Sequence, residues 1–255
     1  MKHNLLIYLT LFIVILLLNS NTYAQTINVK KTSIAPKIDG KIEPSVWSRA
    51  QWQPMSHLIL GEKLTTNDFQ GRFKLLWDNN TLFLLAEITD DVLFDQHADP
   101  LYFYWDDDCL EVFIDEDASG GNHQYSFNAF AYHVALDNQV VDIASKLPNG
   151  QPSFVTLNDH IKSRWQRSKT APHNVIWELA ISVYDDKFTM DKQHNYPSVE
   201  LTEGKIMGFM LAYCDNDGSK QREHFIGSTY IEPVNGSKNL GYITADVFDK
   251  LLLIE

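Results

Sequence analysis

Apolar side chains in this chain come in short runs, each closed by Asp, Asn, Gly or Pro, and no interior run keeps a helical period. Residues 72–77 (RFKLLW) and 82–89 (LFLLAEIT) flank Asp78-Asn79-Asn80-Thr81, whose short polar side chains suit a hairpin turn. Residues 109–115 (CLEVFID) alternate, with Leu110, Val112 and Ile114 on one face and Cys109, Glu111 and Phe113 on the other. The aromatic-rich run 123–136 turns at Asp137-Asn138 into 140–143. Runs 161–165 and 175–183 flank the breaker Ala171-Pro172-His173-Asn174. Run 205–214 passes through Asp215-Asn216-Asp217-Gly218 into 220–226, and 241–248 closes the series. The pattern predicts an all-β fold, an antiparallel β-sandwich of jelly-roll or immunoglobulin-like type, in which two sheets bury facing aliphatics.

The beginning of the chain is different. Lys2 and His3 precede an unbroken apolar run over 5–18, and Thr22, Tyr23 and Ala24 follow, which is the pattern of a secretory signal cleaved after Ala24. That run is shorter than the roughly 20 residues a membrane span needs. The expectation is therefore a signal peptide over 1–24 and one domain over 25–255, periplasmic or secreted, with no membrane insertion once the signal is removed. No low-complexity linker or internal repeat marks a second domain.

The 255 residues are 44% hydrophobic, too apolar for a disordered chain, and carry 33 acidic against 21 basic residues. A net charge of −12 offers no surface for a phosphate backbone, which sets nucleic acid aside as a partner. Only Cys109 and Cys214 are present, so a disulfide framework does not organise the fold; two buried free thiols are expected, with a single bridge arithmetically open.

The stretch of most chemical interest is 102–115 (YFYWDDDCLEVFID). Three consecutive Asp residues are expected at a solvated strand entrance, which leaves Trp105 near the same rim. Indole faces pack against the C–H faces of pyranose rings, whose hydroxyls need carboxylates or amides, and Glu111 offers one such group. The equal alternative is that Trp105 caps the core and the Asp triplet is a solvated turn. Asp215-Asn216-Asp217-Gly218 has the spacing of a cation loop but lacks a later bidentate Glu, so the hairpin-turn reading is preferred. The nine His residues show no metal-ligand spacing, and no Ser sits in a G-x-S-x-G elbow.

Joint blocks then identify a family resemblance. Residues 38–50 (IDGKIEPSVWSRA), Lys74-Leu75-Leu76-Trp77-Asp78 ahead of Leu82-Phe83-Leu84-Leu85-Ala86, Asp90-Asp91, and 105–115 occur in the order found in family 9 carbohydrate-binding modules. The resemblance covers 38 to about 245. It implies a β-sandwich that binds an oligosaccharide or polysaccharide without cleaving it, commonly beside a polysaccharide-degrading glycoside hydrolase. It also implies a sugar held between two Trp rings. Trp105 is similar to the first ring, Glu111 to the binding carboxylate and Asn235 to the amide of the late loop, while Ser126 stands where the family has an Arg. No Trp follows Trp177, so Tyr230 or Tyr242 would have to supply the second ring. Trp47 and Trp77 are expected in the core. The resemblance implies no cofactor beyond structural calcium, with Asp106, Asp107 and Asp108, Asp90-Asp91, or Asp215 and Asp217 as its candidates.

Two other functions fit the residues less well. A glycosidase would draw an acid–base pair from Asp108, Glu111, Asp115 or Glu178. A haem-binding electron-transfer sandwich, a related domain type, would need one of Met55, Met190, Met207 or Met210 opposite a His, and none has a His at an evident partnering position.

Overall fold

The computed structural model describes residues 25–255, and the expected signal segment 1–24 lies outside the described residues. Among the described residues fourteen strands follow one another: β1 Thr26–Lys31, β2 Gln53–Met55, β3 His57–Leu60, β4 Phe69–Trp77, β5 Leu82–Asp90, β6 Cys109–Asp115 and β7 Phe130–Ala135. They continue as β8 Val140–Ala144, β9 Ser153–Thr156, β10 Ile161–Arg167, β11 Val175–Ile181, β12 Ile206–Asp215, β13 His224–Gly227 and β14 Asp249–Ile254. The one α-helix among the described residues, Pro44–Trp47, is a single turn that opens on a proline, a residue suited to the first helical position. Among the described residues no helix is long and apolar enough to cross a membrane.

The ladder runs β10-β11-β5-β4-β1-β14-β12-β6-β7-β8-β9, with β2 beside β4 and β13 between β12 and β3. Its two ends curl over one another, so that Leu84, Trp177 and Phe73 of one half meet Val112, Phe209 and Tyr132 of the other in the main core. This is the expected β-sandwich, nearly all antiparallel. The exceptions are the two parallel seams that β1 makes, with β14 and with β4, and these seams join the halves.

The hairpin between β4 and β5 forms as expected. The Asp78 N–H donates to Thr81 O at 3.0 Å, and the Asp78 carboxylate accepts the Asn80 N–H at 2.9 Å. β6 is buried on both faces: Leu110, Val112 and Ile114 face the main core, whereas Cys109 and Phe113 face a second cluster with Met210 and Phe225. Trp47, Trp77 and Trp177 are all fully buried. Cys109 and Cys214 are buried free thiols.

Three expected strands are corrected. Residues 123–129 form turns, with β7 starting only at Phe130, because the N–H of His123 pairs with Ile243 O across to a late loop. The strand expected over 220–226 is shorter and later, His224–Gly227. The segment 241–248 is a loop with a short 3-10 turn over Ala245–Val247, and the closing strand is β14.

Candidate functional site

The half of the sandwich built on β12, β6, β7, β8 and β9 carries a cavity of about 290 Å³. Tyr104 and Trp105 reach it from the 3-10 turn Tyr104–Asp106 just before β6, and Phe154 comes from β9. Gln124 and Tyr125 enter from the turns ahead of β7, and Asn239 and Tyr242 from the loop ahead of β14. Trp105 is half-buried, with its ring edge-on to Tyr104 at 5.0 Å and to Phe103 at 5.5 Å, and tilted against Phe154 at 5.8 Å. The wall is therefore largely aromatic, and its polar groups are few and deep.

Those deep groups are Glu111, His133 and Arg222. The β-sheet register sets Glu111 directly opposite His133 on the neighbouring strand, while Arg222 arrives from the connection between β12 and β13. Glu111 Oε1 accepts from Arg222 Nη1 at 3.2 Å and from Cys214 Sγ at 3.0 Å, and lies 2.7 Å from His133 Nε2. Arg222 Nη1 also donates to Cys214 Sγ at 3.0 Å. Burial pushes the Glu111 carboxyl up, but His133 and Arg222 beside it hold it below the usual carboxylate range. His133 shows the reciprocal effect: burial disfavours its charge, yet the Glu111 carboxylate raises it to about 9. A partly desolvated carboxylate beside a guanidinium gives the cavity both an acceptor and donors for hydroxyl groups.

The Asp triplet is not at a wet strand entrance. Asp106, Asp107 and Asp108 are all buried. Their burial is tolerated because each carboxyl group meets backbone N–H donors. Asp108 accepts from Phe94 at 2.6 Å and Asn216 at 2.8 Å, Asp107 from Gln96 at 2.9 Å and His97 at 3.1 Å, and Asp106 from Arg222 at 3.1 Å. Burial and the nearby Asp90 push Asp108 up to about 9, so it is protonated at neutral pH. The triplet ties the 94–97 loop and the 216–222 loop to the base of Trp105 and Arg222.

The chain matches the family model described as "Carbohydrate family 9 binding domain-like" over residues 38–255. It belongs to that family. Among curated proteins, the family 9 chain is 24% identical over 202 residues to Exoglucanase XynX of Acetivibrio thermocellus and 29% identical over 205 residues to Endo-1,4-beta-xylanase A of Thermotoga maritima. Each match takes in 79% of this chain but only 15% and 16% of the respective relative, so the chain corresponds to a small part of those enzymes. Among solved structures, a family 9 carbohydrate-binding module from Caldicellulosiruptor kristjanssonii in complex with cellotriose superposes with a TM-score of 0.64 at 21% identity, covering 90% of this chain and 94% of that one. A family 9 module from the same organism in complex with glucose superposes with a TM-score of 0.64 at 21% identity, covering 90% of this chain and 95% of that one.

Of the residues that the family resemblance singled out, the cavity brings together Trp105, Glu111 and Tyr242. Ser126 is exposed and does not line it. Asn235 lies on an exposed turn at φ 51°, and the amide that reaches the cavity from this family 9 loop is Asn239. Tyr230 is exposed, donates to Glu232 at 2.8 Å and borders a different groove with His57. His133, Arg222, Tyr104 and Phe154 had not been singled out. The one available signal was the strand pairing: once β12 lies beside β6, the chain after Asp215 must pass close to Trp105.

The remaining candidates are accounted for by other contacts. Glu178 accepts the Trp47 indole N–H and the backbone N–H groups of Asp39, Gly40 and Lys41, and Asp115 accepts the Gly120 N–H. Met55, Met207 and Met210 are buried in the core clusters, and Met190 packs against the main one. In the 215–218 turn, Asn216 Oδ1 accepts the N–H groups of Gly218 and Ser219, and Asp215 pairs with His224 at 2.9 Å. Carboxylate oxygens of Asp215 and Asp217 come within 4.8 Å of one from Asp90.

Proposed function

We propose that this chain is an exported sugar-binding module that cleaves nothing itself, with Trp105 as the platform for a pyranose ring and Glu111 and Arg222 as partners for its hydroxyls. The observation that carries the reading is one cavity joining a half-buried indole to a buried carboxylate–guanidinium pair. C–H faces of a sugar gain dispersion and electrostatic attraction from the ring, and its equatorial hydroxyls replace water at charged partners that are already fixed. In this reading Arg222 supplies the guanidinium, Asn239 the amide and Tyr242 the second ring. Of the carboxylates weighed for glycosidase chemistry, Glu111 alone lines the cavity among the described residues, whereas hydrolysis needs a pair flanking the bond.

The similar modules solved with cellotriose and with glucose support a choice of ligand class. Gluco-configured oligosaccharides are proposed as the ligand, in a periplasmic or secreted setting beside polysaccharide-degrading enzymes. Calorimetry with glucose, cellotriose and xylotriose tests this. Binding of at least one is expected, and Trp105→Ala should weaken it by at least about 1 kcal/mol with the melting temperature preserved. A folded protein that binds none of the three sinks the reading. An unchanged affinity in the variant removes Trp105 from it.

A further inference from the structure

Beneath the aromatic wall, one patch of the β12-β6-β7 sheet gathers four side chains, of which the sugar reading uses only Glu111. In register, Cys214 stands opposite Cys109, and two residues along Glu111 stands opposite His133. The neighbouring register positions are Ala212 and Ala135, which add no competing polar group. One sulfur from each cysteine, a Glu111 oxygen and a His133 ring nitrogen all lie within 4.8 Å of one another, and all four residues are buried.

We propose that Cys109, Cys214, His133 and Glu111 form a binding site for a thiolate-preferring divalent metal ion of the zinc class. Two sulfurs, one imidazole and one carboxylate make a four-ligand set of the kind that holds zinc tetrahedrally. Bond lengths of about 2.0–2.3 Å from such an ion place its ligand atoms about 3.3–3.8 Å apart. The separations of 2.7 Å from Glu111 to His133 and 3.0 Å from Glu111 to Cys214 reach that range after side-chain shifts of under about 1 Å.

Two further observations point to a cation. His133 is almost wholly buried, its Nδ1 has no hydrogen-bond partner, and its Nε2, 2.7 Å from Glu111, meets that carboxylate as an ion pair without a well-formed hydrogen bond. A buried ring nitrogen left without a partner beside a cluster of sulfur and oxygen is costly, and a bound cation would take up the imidazole lone pair. Charge balance agrees: two thiolates and the carboxylate carry three negative charges, and a divalent ion together with the Arg222 guanidinium, which contacts both Glu111 and Cys214, neutralises them. On binding, both thiol protons and any imidazole proton leave to solvent, and no electron is transferred.

The proposal does not rest on the sugar reading, and its test uses no sugar. The protein, purified with its thiols reduced, is titrated with Co²⁺. The expected result is uptake of one ion per chain with a sulfur-to-cobalt charge-transfer band, bleached when Zn²⁺ displaces the cobalt, and loss of the band in both Cys109→Ser and Cys214→Ser. Because a serine variant that fails to fold would also lose the band, the wild type supplies an independent measurement: Zn²⁺ should raise its melting temperature and a chelator should reverse the rise. A reduced, folded wild type with no charge-transfer band overturns the site. So does a band of unchanged intensity in both serine variants, since the site uses both thiolates; Co²⁺ bound without any such band would place the metal at the carboxylates of Asp90, Asp215 and Asp217.

Discussion

Glu178 shows how much one buried side chain can organise. Its Oε2 accepts the backbone N–H groups of Asp39, Gly40 and Lys41 at 3.0–3.3 Å, and its Oε1 accepts the Trp47 indole at 3.0 Å. A single carboxylate on β11 thereby fixes the Ile38-Asp39-Gly40 turn and the first helix, which explains why the IDG signature and a Trp seven residues later occur together. Gly40 is required at its place because φ is +75° and a Cβ there would lie 2.6 Å from the Trp165 carbonyl carbon. Glu178→Ala leaves four donors unpaired and should cost about 3 kcal/mol or more in denaturant unfolding, with Glu178→Gln retaining part of that. Gly40→Ala should cost about 2 kcal/mol or more. A Glu178→Ala protein within about 0.5 kcal/mol of wild type would mean that water replaces the carboxylate without loss.

At the scale of elements, the legible features were local and the illegible ones were long-range. The Asp78–Thr81 hairpin and the two-faced alternation of β6 could be read because turn chemistry and a period of two act within a few residues. Ser126, Asn235 and Tyr230 were placed by motif order, and motif order does not say which side of a loop faces inward. Arg222 and His133 could not be read at all, since each reaches the cavity only through strand pairing with β6. The Asp triplet misled for a related reason: its partners are backbone N–H groups of the 94–97 loop and of Asn216 and Arg222, which no side-chain pattern records. From this arrangement comes a prediction about a loop. Asp107 holds the N–H groups of Gln96 and His97, and the His97 ring packs on Tyr102 and Phe103, the latter against Trp105. Asp107→Ala should therefore lower stability by about 1–3 kcal/mol and weaken sugar binding although no ligand contact is removed. Affinity equal to wild type in calorimetry would show that Tyr104 and Phe154 alone hold the indole in place.

For the whole molecule, the buried ionisable groups set how stability responds to pH, and their signs can be worked out one by one. Asp90 and Asp142 are both pushed up to about 7, in each case chiefly by burial, which outweighs the Tyr213 hydroxyl on Asp90 and the backbone N–H groups of Ile143 and Ala131 on Asp142. A carboxyl raised in the folded state binds its proton more tightly there than in the unfolded chain. Its contribution is complete below about pH 4 and is lost as pH climbs to about 7. His160 acts in the opposite sense, because burial against Phe130, Tyr184 and Phe188 lowers it to about 3, so its contribution is present above about pH 6.5 and is lost on acidification. Each group changes stability by at most about 1.4 kcal/mol per pH unit within its own window. Asp108, Asp115 and Asp215, raised by burial to about 9, 6 and 6, act in the same sense as Asp90 and Asp142, so these carboxyls against one imidazole leave a net decline with rising pH between about 4 and 6.5, and above 6.5 His160 no longer opposes it. The excess of acidic residues, whose mutual repulsion grows as they ionise, acts in the same direction. The melting temperature should therefore be higher at pH 5 than at pH 7. Asp142→Asn should flatten that decline, whereas His160→Gln, which keeps an acceptor for the Tyr132 hydroxyl, should steepen it below about pH 6.5. A melting temperature that rises from pH 5 to pH 7 in the wild type would mean that these carboxyls are ionised in the folded state, held by their hydrogen bonds against the cost of burial.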